Sequence, residues 1–229
     1  MTMAKGVGIV VVSHSSKIAE GVVELAAQMA PTTSIVAAGG TDEGGIGTSF
    51  DKISAALTEA QAGKGVVLLC DLGSAILTAE TVVDFLDDAE KALVIIADAP
   101  VVEGTVAAAV AAETGGDLAA VAAAARTATG VADAHADEKD LSRAAAVERS
   151  AVLINPSGLH ARPAAELVKN ASTFDASIQL NGVDAKSLLR IMGLGLAKGS
   201  SVSIVATGPD AEKAVDALIA LIESGFGEV

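Results

Sequence analysis

Gly8-Ile9-Val10-Val11-Val12-Ser13-His14-Ser15-Ser16 runs from a β-branched apolar strand directly into a histidine and a cluster of hydroxyls. Serines at such a point favour the start of a helix, so the stretch reads strand, turn, helix, with His14 at the turn. The pattern recurs through the first half of the chain. Short apolar runs near 7–12, 33–38, 65–70 and 92–97 alternate with helical patterns near 16–29, 49–61, 75–87 and 102–113. Strict alternation predicts a parallel sheet, and strands apolar on both faces predict helices on both sides of it. The loops leaving these strands hold His14, the glycine-rich segment 39–49, then Asp71-Leu72-Gly73-Ser74, then Asp98-Ala99-Pro100. All lie at carboxyl ends of strands, where open parallel sheets place ligand sites.

A further Ala-rich helix near 117–128 closes this first unit, giving an expected domain over 1–130. Residues 131–145 are small, charged and without apolar period, which predicts a linker; His135 lies in it and reads as a solvated side chain. From 146 to 229 the order changes: strand 149–154, helix 160–172, strand 176–181, Asn181-Gly182, a short strand, a short helix from about Ser187, strand 201–206 and helix 209–224. Asn-Gly between strands is a hairpin signal. The expected fold is an α/β domain followed by an α+β open-faced sandwich with an antiparallel sheet.

Composition narrows the function. The 229 residues are 51% hydrophobic but only 2% aromatic, so packing relies on small side chains. The net charge of −14 is uneven, with 8 Lys/Arg against 20 Asp/Glu in residues 1–145 and 7 against 9 in the remainder. That sign disfavours nucleic acid, which needs clustered cations, and suits a basic partner for the first unit. The single cysteine, Cys70, ends a buried strand pattern, allows no internal disulfide and fits a reducing compartment. No signal-peptide pattern opens the sequence, and no apolar run reaches the roughly 18–20 residues of a membrane span. A cytoplasmic protein with no membrane partner is expected.

Each domain offers one histidine placed for covalent chemistry. In Gly158-Leu159-His160-Ala161-Arg162-Pro163, proline fixes the helix start just after His160. Free N–H groups and the positive end of the helix dipole then lie at the histidine, and Arg162 adds a permanent cation. A neutral imidazole nitrogen can attack phosphorus and later leave again as imidazole, which needs little beyond positioning and charge stabilisation. For His14, Asp71 is the expected orienting carboxylate, since it leaves the third strand at the same sheet edge. Gly73 and Ser74 open the next helix and could receive phosphoryl oxygens; loop 39–49 could add further amides, or its glycines 39, 40, 44, 45 and 47 simply permit a tight loop without a direct catalytic role, with Asp42 and Glu43 facing solvent or a partner.

Residues 158–163, with Lys186-Ser187-Leu188-Leu189 and Gly195-Leu196-Ala197-Lys198-Gly199, make residues 146–229 resemble the phosphocarrier HPr of the bacterial phosphotransferase system. The resemblance implies that His160 accepts phosphate from enzyme I and that Ser187 matches a regulatory serine; Arg190 departs from the family pattern there, and a plain helix N-cap is the other reading of Ser187. Val11-Val12-Ser13-His14-Ser15-Ser16, Gly44-Gly45-Ile46-Gly47-Thr48-Ser49 and Asp71-Leu72-Gly73-Ser74-Ala75 make residues 6–128 resemble mannose-type enzyme IIA domains, nearest to those serving dihydroxyacetone kinase. Absence of a Trp-Gly-Gly-Ser-Pro segment after Asp71 points away from sugar transport.

The implied route runs from phosphoenolpyruvate through enzyme I, His160 and His14 to ADP held in an ADP-binding kinase subunit, with a further subunit binding dihydroxyacetone. This chain would itself bind no metal or cofactor. Free HPr is an alternative donor, and the family implies a homodimer through the N-terminal domain. Three other readings stand beside this one: the soluble IIA-HPr component of a mannose-type sugar transporter, a phosphorylation-dependent regulator without enzymatic activity, and a flavodoxin-like nucleotide or flavin binder. The lack of stacking aromatics and of Gly-x-Gly-x-x-Gly after the first strand counts against the last.

Overall fold

The computed structural model describes residues 6–129 and 146–228, and the chain divides into two compact units, Met1–Gly130 and Val131–Val229. The expected linker 131–145, with His135, lies outside the described residues.

In the first unit, β1 (Gly8–Ser13), β2 (Ile35–Gly39), β3 (Val66–Cys70) and β4 (Val94–Ala97) form one parallel sheet in the order β2-β1-β3-β4. Helices α1 (Ser16–Ala27), α2 (Phe50–Ala60), α3 (Gly73–Asp84), α4 (Asp88–Lys91), α5 (Val101–Glu113) and α6 (Leu118–Arg126) connect and cover it. Both faces are packed, as the doubly apolar strands require. Val10, Val12, Leu68 and Cys70 meet α2 and α3 on one side, while Val11 packs with Ala19 and Val22 of α1 on the other. Ile9, Val10, Val11 and Val12 are all fully buried, each side chain contributing on the order of 1.5–3 kcal/mol through burial. That makes β1 a rigid base for the residue that follows it.

The strand order has a consequence for ligands. From β1 the chain crosses to β2 on one side, whereas β3 leads to β4 on the other. The loops leaving β1 and β3 therefore diverge and open a crevice at their carboxyl ends. His14 follows β1 and Asp71 follows β3.

The second unit holds β5 (Val147–Val152), α7 (Ala161–Ala171), β6 (Ser177–Leu180), β7 (Val183–Asp184), α8 (Leu188–Gly193), β8 (Ser201–Thr207) and α9 (Ala211–Glu223). Its sheet is antiparallel in the order β5-β8-β6-β7. Leu153, Leu167, Ile178, Leu180, Ile191, Ile204, Leu218 and Ile222 form its core. Asn181 and Gly182 make the two-residue turn between β6 and β7 with φ of 47° and 82°, the left-handed pair that a type I′ hairpin demands.

Two details depart from expectation. The short helix α4 is closed by an Asp87–Glu90 capping box, a local signal hidden in an acidic stretch. β5 begins two residues before the expected strand, because it is an edge strand with one open face: Glu148, Ser150 and Val152 are exposed while Ala151 is buried. Its polar start therefore does not look like a strand in sequence. Among the described residues no helix is long and apolar enough to cross a membrane.

Candidate functional site

The first site is built on the crevice between β1 and β3. Asp71 is its hub, accepting hydrogen bonds from Ser13 Oγ (2.8 Å), His14 N (2.9 Å), His14 Nδ1 (2.9 Å) and Leu72 N (2.7 Å). Burial opposes ionisation of Asp71, but the four donors outweigh it and hold the carboxyl below its ordinary pKa. Asp71 is therefore a carboxylate, which can only accept. It follows that His14 Nδ1 carries the ring proton and Nε2 presents the lone pair.

That lone pair faces Ser74, whose Oγ lies 2.7 Å from Nε2 and so acts as donor. Ser74 stands in the first turn of α3. The Gly73 and Ser74 N–H groups have no hydrogen bond to a described residue, which leaves them for an anion at the helix N-terminus. The His14 side chain is 20% exposed and Asp71 13%, so the nucleophilic edge reaches solvent while its support is inside.

Ser13 was not singled out from sequence. It is fully buried, donates to Asp71 and accepts from Ser15 N at 3.1 Å, tying the strand end to the carboxylate and to the entry of α1. Its position in an apolar strand disguised it. The glycine loop takes the second of its two expected parts, that of a tight loop. Gly40 N donates to Ser13 O, Gly47 N to His14 O, Thr41 N to Gly45 O, Gly44 N to Thr41 O and Gly45 N to Thr41 Oγ1. These amides brace the loop and the His14 backbone and are not free for phosphoryl oxygens. Asp42 and Glu43 are exposed, Asp42 also accepting from Ser49 Oγ.

Cys70 is inert as a nucleophile: burial, with help from the Asp71 and Glu80 charges, pushes its thiol up to about 12.

The second site lies at the start of α7, where His160 is the N-cap residue. Gly158, at φ 65°, sets the entry; a Cβ there would come within 2.3 Å of Leu196 O. Pro163 is buried in the first turn, and Arg162 is exposed with no hydrogen bond or ion pair to a described residue. His160 Nε2 lies 3.1 Å from Glu228 Oε1, with side chains 41% and 24% exposed. A carboxylate on Nε2 makes that nitrogen the donor and leaves Nδ1 bare. Glu228 is 68 residues from His160 in sequence, and nothing local announces the contact. Ser187 occupies the N-cap position of α8, but its side chain makes no cap hydrogen bond. Among the described residues, no group of three or more His, Cys, Asp or Glu side chains is gathered as a metal site.

Comparison with known proteins matches these two units separately. Residues 8–122 fit the EIIA-man family model, described as the PTS system fructose IIA component, and residues 147–224 fit the PTS HPr component phosphorylation site. The phosphoryl donor subunit DhaM of the PEP-dependent dihydroxyacetone kinase of Escherichia coli K12 is 37% identical over 240 residues, covering 97% of this chain and 51% of that protein. The DhaM of dihydroxyacetone kinase 1 from Listeria innocua is 42% identical over 105 residues, 46% of this chain and 81% of its own length. Phosphocarrier protein HPr of Cupriavidus necator is 43% identical over 86 residues, 36% of this chain and 97% of that protein. The chain spans about half the length of the curated relatives that it matches end to end. An EIIA-man unit followed by an HPr unit, each with a histidine at its site, places the chain in the family of DhaM phosphoryl donor subunits.

Proposed function

We propose that the protein is a two-histidine phosphoryl relay: His160 takes a phosphoryl group derived from phosphoenolpyruvate from enzyme I and passes it to His14. His14 then delivers it to ADP in a separate ADP-binding kinase subunit, and the regenerated ATP phosphorylates dihydroxyacetone held by a third subunit, so that the whole assembly acts as a phosphoenolpyruvate-glycerone phosphotransferase in glycerol metabolism. Its similarity to DhaM subunits along nearly its whole length supports this route. The observation that carries it is the Asp71–His14–Ser74 line, in which a saturated carboxylate leaves Nε2 unprotonated and pointing out of the sheet.

The chemistry at His14 needs no proton movement. As Nε2 forms its bond to phosphorus, the bond to the departing His160 nitrogen breaks and the proton on Nδ1 stays. The ring becomes cationic against Asp71 at 2.9 Å, a charge already provided for. Ser74 Oγ–H, released from Nε2, can donate to a phosphoryl oxygen, as can the Gly73 and Ser74 amides. At His160, Arg162 supplies the cation for the same oxygens. This chain contributes no metal or nucleotide; ADP stays with the partner. We place the relay in the cytoplasm, consistent with its single cysteine, and as a homodimer through the first unit.

The test is labelling with enzyme I and radiolabelled phosphoenolpyruvate. His14→Ala should retain label on His160 and deliver none onward. His160→Ala should leave His14 unlabelled until free HPr is supplied. Acid-stable label, or label on neither histidine, defeats the reading.

A further inference from the structure

A threonine hydroxyl has one proton to give, and that of Thr78 in α3 is already committed: its Oγ1 donates to Ser74 O at 3.0 Å. Thr48 Oγ1, in the glycine loop, lies 2.8 Å from Thr78 Oγ1. Thr48 is therefore the donor, and the hydroxyls run in one direction, from Thr48 to Thr78 to the Ser74 carbonyl. Both threonines are half-buried. A hydroxyl that bonds the carbonyl four residues back bends a helix slightly; at Thr78 the bend falls on the turn that carries Ser74 Oγ and the unpaired Gly73 and Ser74 amides. Thr81 makes the same backward bond to Leu77 O, with no donor to its own oxygen among the described residues.

The other end of this line is the backbone of His14. Gly47, the residue before Thr48, donates its N–H to His14 O at 2.9 Å. Two adjacent residues thus hold opposite walls of the crevice, Gly47 the chain leaving β1 and Thr48 the first turn of α3, and the planar peptide between them does not stretch. Gly47 takes φ of 146°, and a Cβ there would come within 2.8 Å of Thr41 Cγ2, so the bridge has a shape that excludes a side chain. The far side of the loop is anchored separately. Lys52 Nζ donates to Gly39 O (3.1 Å) and Thr41 O (2.7 Å), and the buried Ser49 Oγ accepts from Lys52 N at 3.1 Å. Among the described residues, the Thr48–Thr78 bond is the one hydrogen bond that joins this anchored loop to α3.

We propose that Thr48 is a positioning residue for phosphoryl transfer at His14: with Gly47 it forms a spacer that sets the distance between His14 Nε2 and the start of α3. The inference rests on the reading of His14 as a phosphoryl acceptor. Thr48 touches neither the ring nor the phosphoryl group and acts through Thr78 and Ser74. Its hydroxyl keeps Ser74 Oγ within 2.7 Å of Nε2 before transfer and keeps that hydroxyl and the two amides in reach of the phosphoryl oxygens afterwards, where small misplacements of a cradle are costly.

The experiment uses the full chain carrying His160→Ala, in which His14 receives its phosphoryl group from free HPr kept phosphorylated by enzyme I and phosphoenolpyruvate. The His14 ring nitrogens are followed by 15N NMR beforehand, and labelling of His14 is then measured over a range of HPr concentrations, in the parent and with Thr48→Val, Thr48→Ser or Thr78→Val. Thr48→Val keeps the shape and removes the donor. Its maximal rate should fall about two- to tenfold, the worth of one neutral hydrogen bond, at an unchanged half-saturating HPr concentration, and its Nε2 signal should move toward that of a nitrogen without a hydrogen bond. Thr48→Ser keeps the hydroxyl and should restore both. An unchanged maximal rate and Nε2 signal in Thr48→Val overturn the spacer, as does a loss in Thr48→Ser equal to that in Thr48→Val. A change confined to the half-saturating concentration assigns Thr48 to donor docking and overturns it too. If Thr48→Val does not fold, Thr78→Val decides by the same two readouts, and unchanged values there overturn the spacer. Absence of acid-labile label on His14 of the parent defeats instead the relay reading, while the Nε2 signal still decides the spacer.

Discussion

At His14 a carboxylate sits on Nδ1, and at His160 a carboxylate sits on Nε2. The two sites therefore present opposite ring nitrogens, and they hold them with unequal firmness. Asp71 is gripped by four donors, two of them backbone amides, at the end of buried strands. Among the described residues Glu228 is gripped by Asn155 and the imidazole only, and it lies on a more open surface. A free histidine side chain already favours the Nε2–H tautomer, so the second site only has to reinforce an existing preference, whereas the first has to reverse it. The extra scaffolding around Asp71 follows from that difference.

The largest way to break this comparison is Asp71→Asn. The amide offers an NH2 group to Nδ1, and the ring then returns its proton to Nε2, the nitrogen that has to attack. Loss of the correct tautomer at a histidine held by a buried carboxylate costs up to about 10⁴-fold; we expect His14 to accept label from phosphorylated His160 between about 10² and 10⁴ times more slowly, measured by rapid quench. Glu228→Gln should fall far short of that. Equal losses at the two sites would mean that tautomer control does not distinguish them.

Arg162→Ala comes next. His160 relies on an exposed guanidinium, while His14 relies on a helix end and a hydroxyl close to the sheet. Loss of a charged hydrogen-bond donor is worth about 1.5–3 kcal/mol, and exposure to solvent reduces it, so labelling of His160 should slow by roughly tenfold. The cation is also open to screening. Raising salt from low to physiological levels should lower the labelling rate of the parent chain and leave Arg162→Ala nearly flat, a contrast that steady labelling assays at several ionic strengths can read.

The sequence already contains most of the first site and little of the support for the second. Alternating strands and helices place the residues after β1 and β3 at one sheet edge, so His14, Asp71 and Ser74 could be brought together from spacing alone. Ser13 escaped because a serine inside an apolar strand looks like part of the strand. Glu228 and Asn155 escaped for a different reason: their meeting depends on a left-handed turn around Phe226, and a non-glycine residue in that region is set by tertiary packing and not by local preference. Loop 39–49 fits the reading of its glycines as formers of a tight loop: the Gly40, Thr41, Gly44, Gly45 and Gly47 amides donate within the loop or to the Ser13 and His14 carbonyls.

Ser13→Ala sharpens the comparison in stability. The change strips a donor from Asp71 and an acceptor from the Ser15 amide in a fully buried position, and unsatisfied buried groups cost about 1–3 kcal/mol. Some repacking should bring the loss to about 1–2 kcal/mol, seen as a lower urea midpoint for the first unit only. Glu228→Ala, which leaves no comparable buried donor in a strand, should leave the second unit's midpoint nearly in place. A reversed order of the two effects would overturn the view that the first site is built into its sheet and the second is not.

The smallest effect is a pH dependence confined to the first unit. Asp71 has a lowered pKa in the folded state, so the folded protein binds its proton less readily than the unfolded chain does. Stability from this group is fully present above the unfolded carboxylate value of about 3.9 and is lost as pH falls through the lowered folded value. Stability of the first unit should therefore decline with acid below about pH 4, by no more than about 1.4 kcal/mol per pH unit from this one site. Other carboxylates add their own slopes, so the informative quantity is the difference between the parent chain and Asp71→Asn, followed by urea unfolding from pH 6 to pH 3. The two curves should converge toward low pH, because protonated aspartate and asparagine are both neutral. Parallel curves would mean that the four donors around Asp71 do not favour its ionised form, and the assignment of the Nδ1 proton at His14 would fall with them.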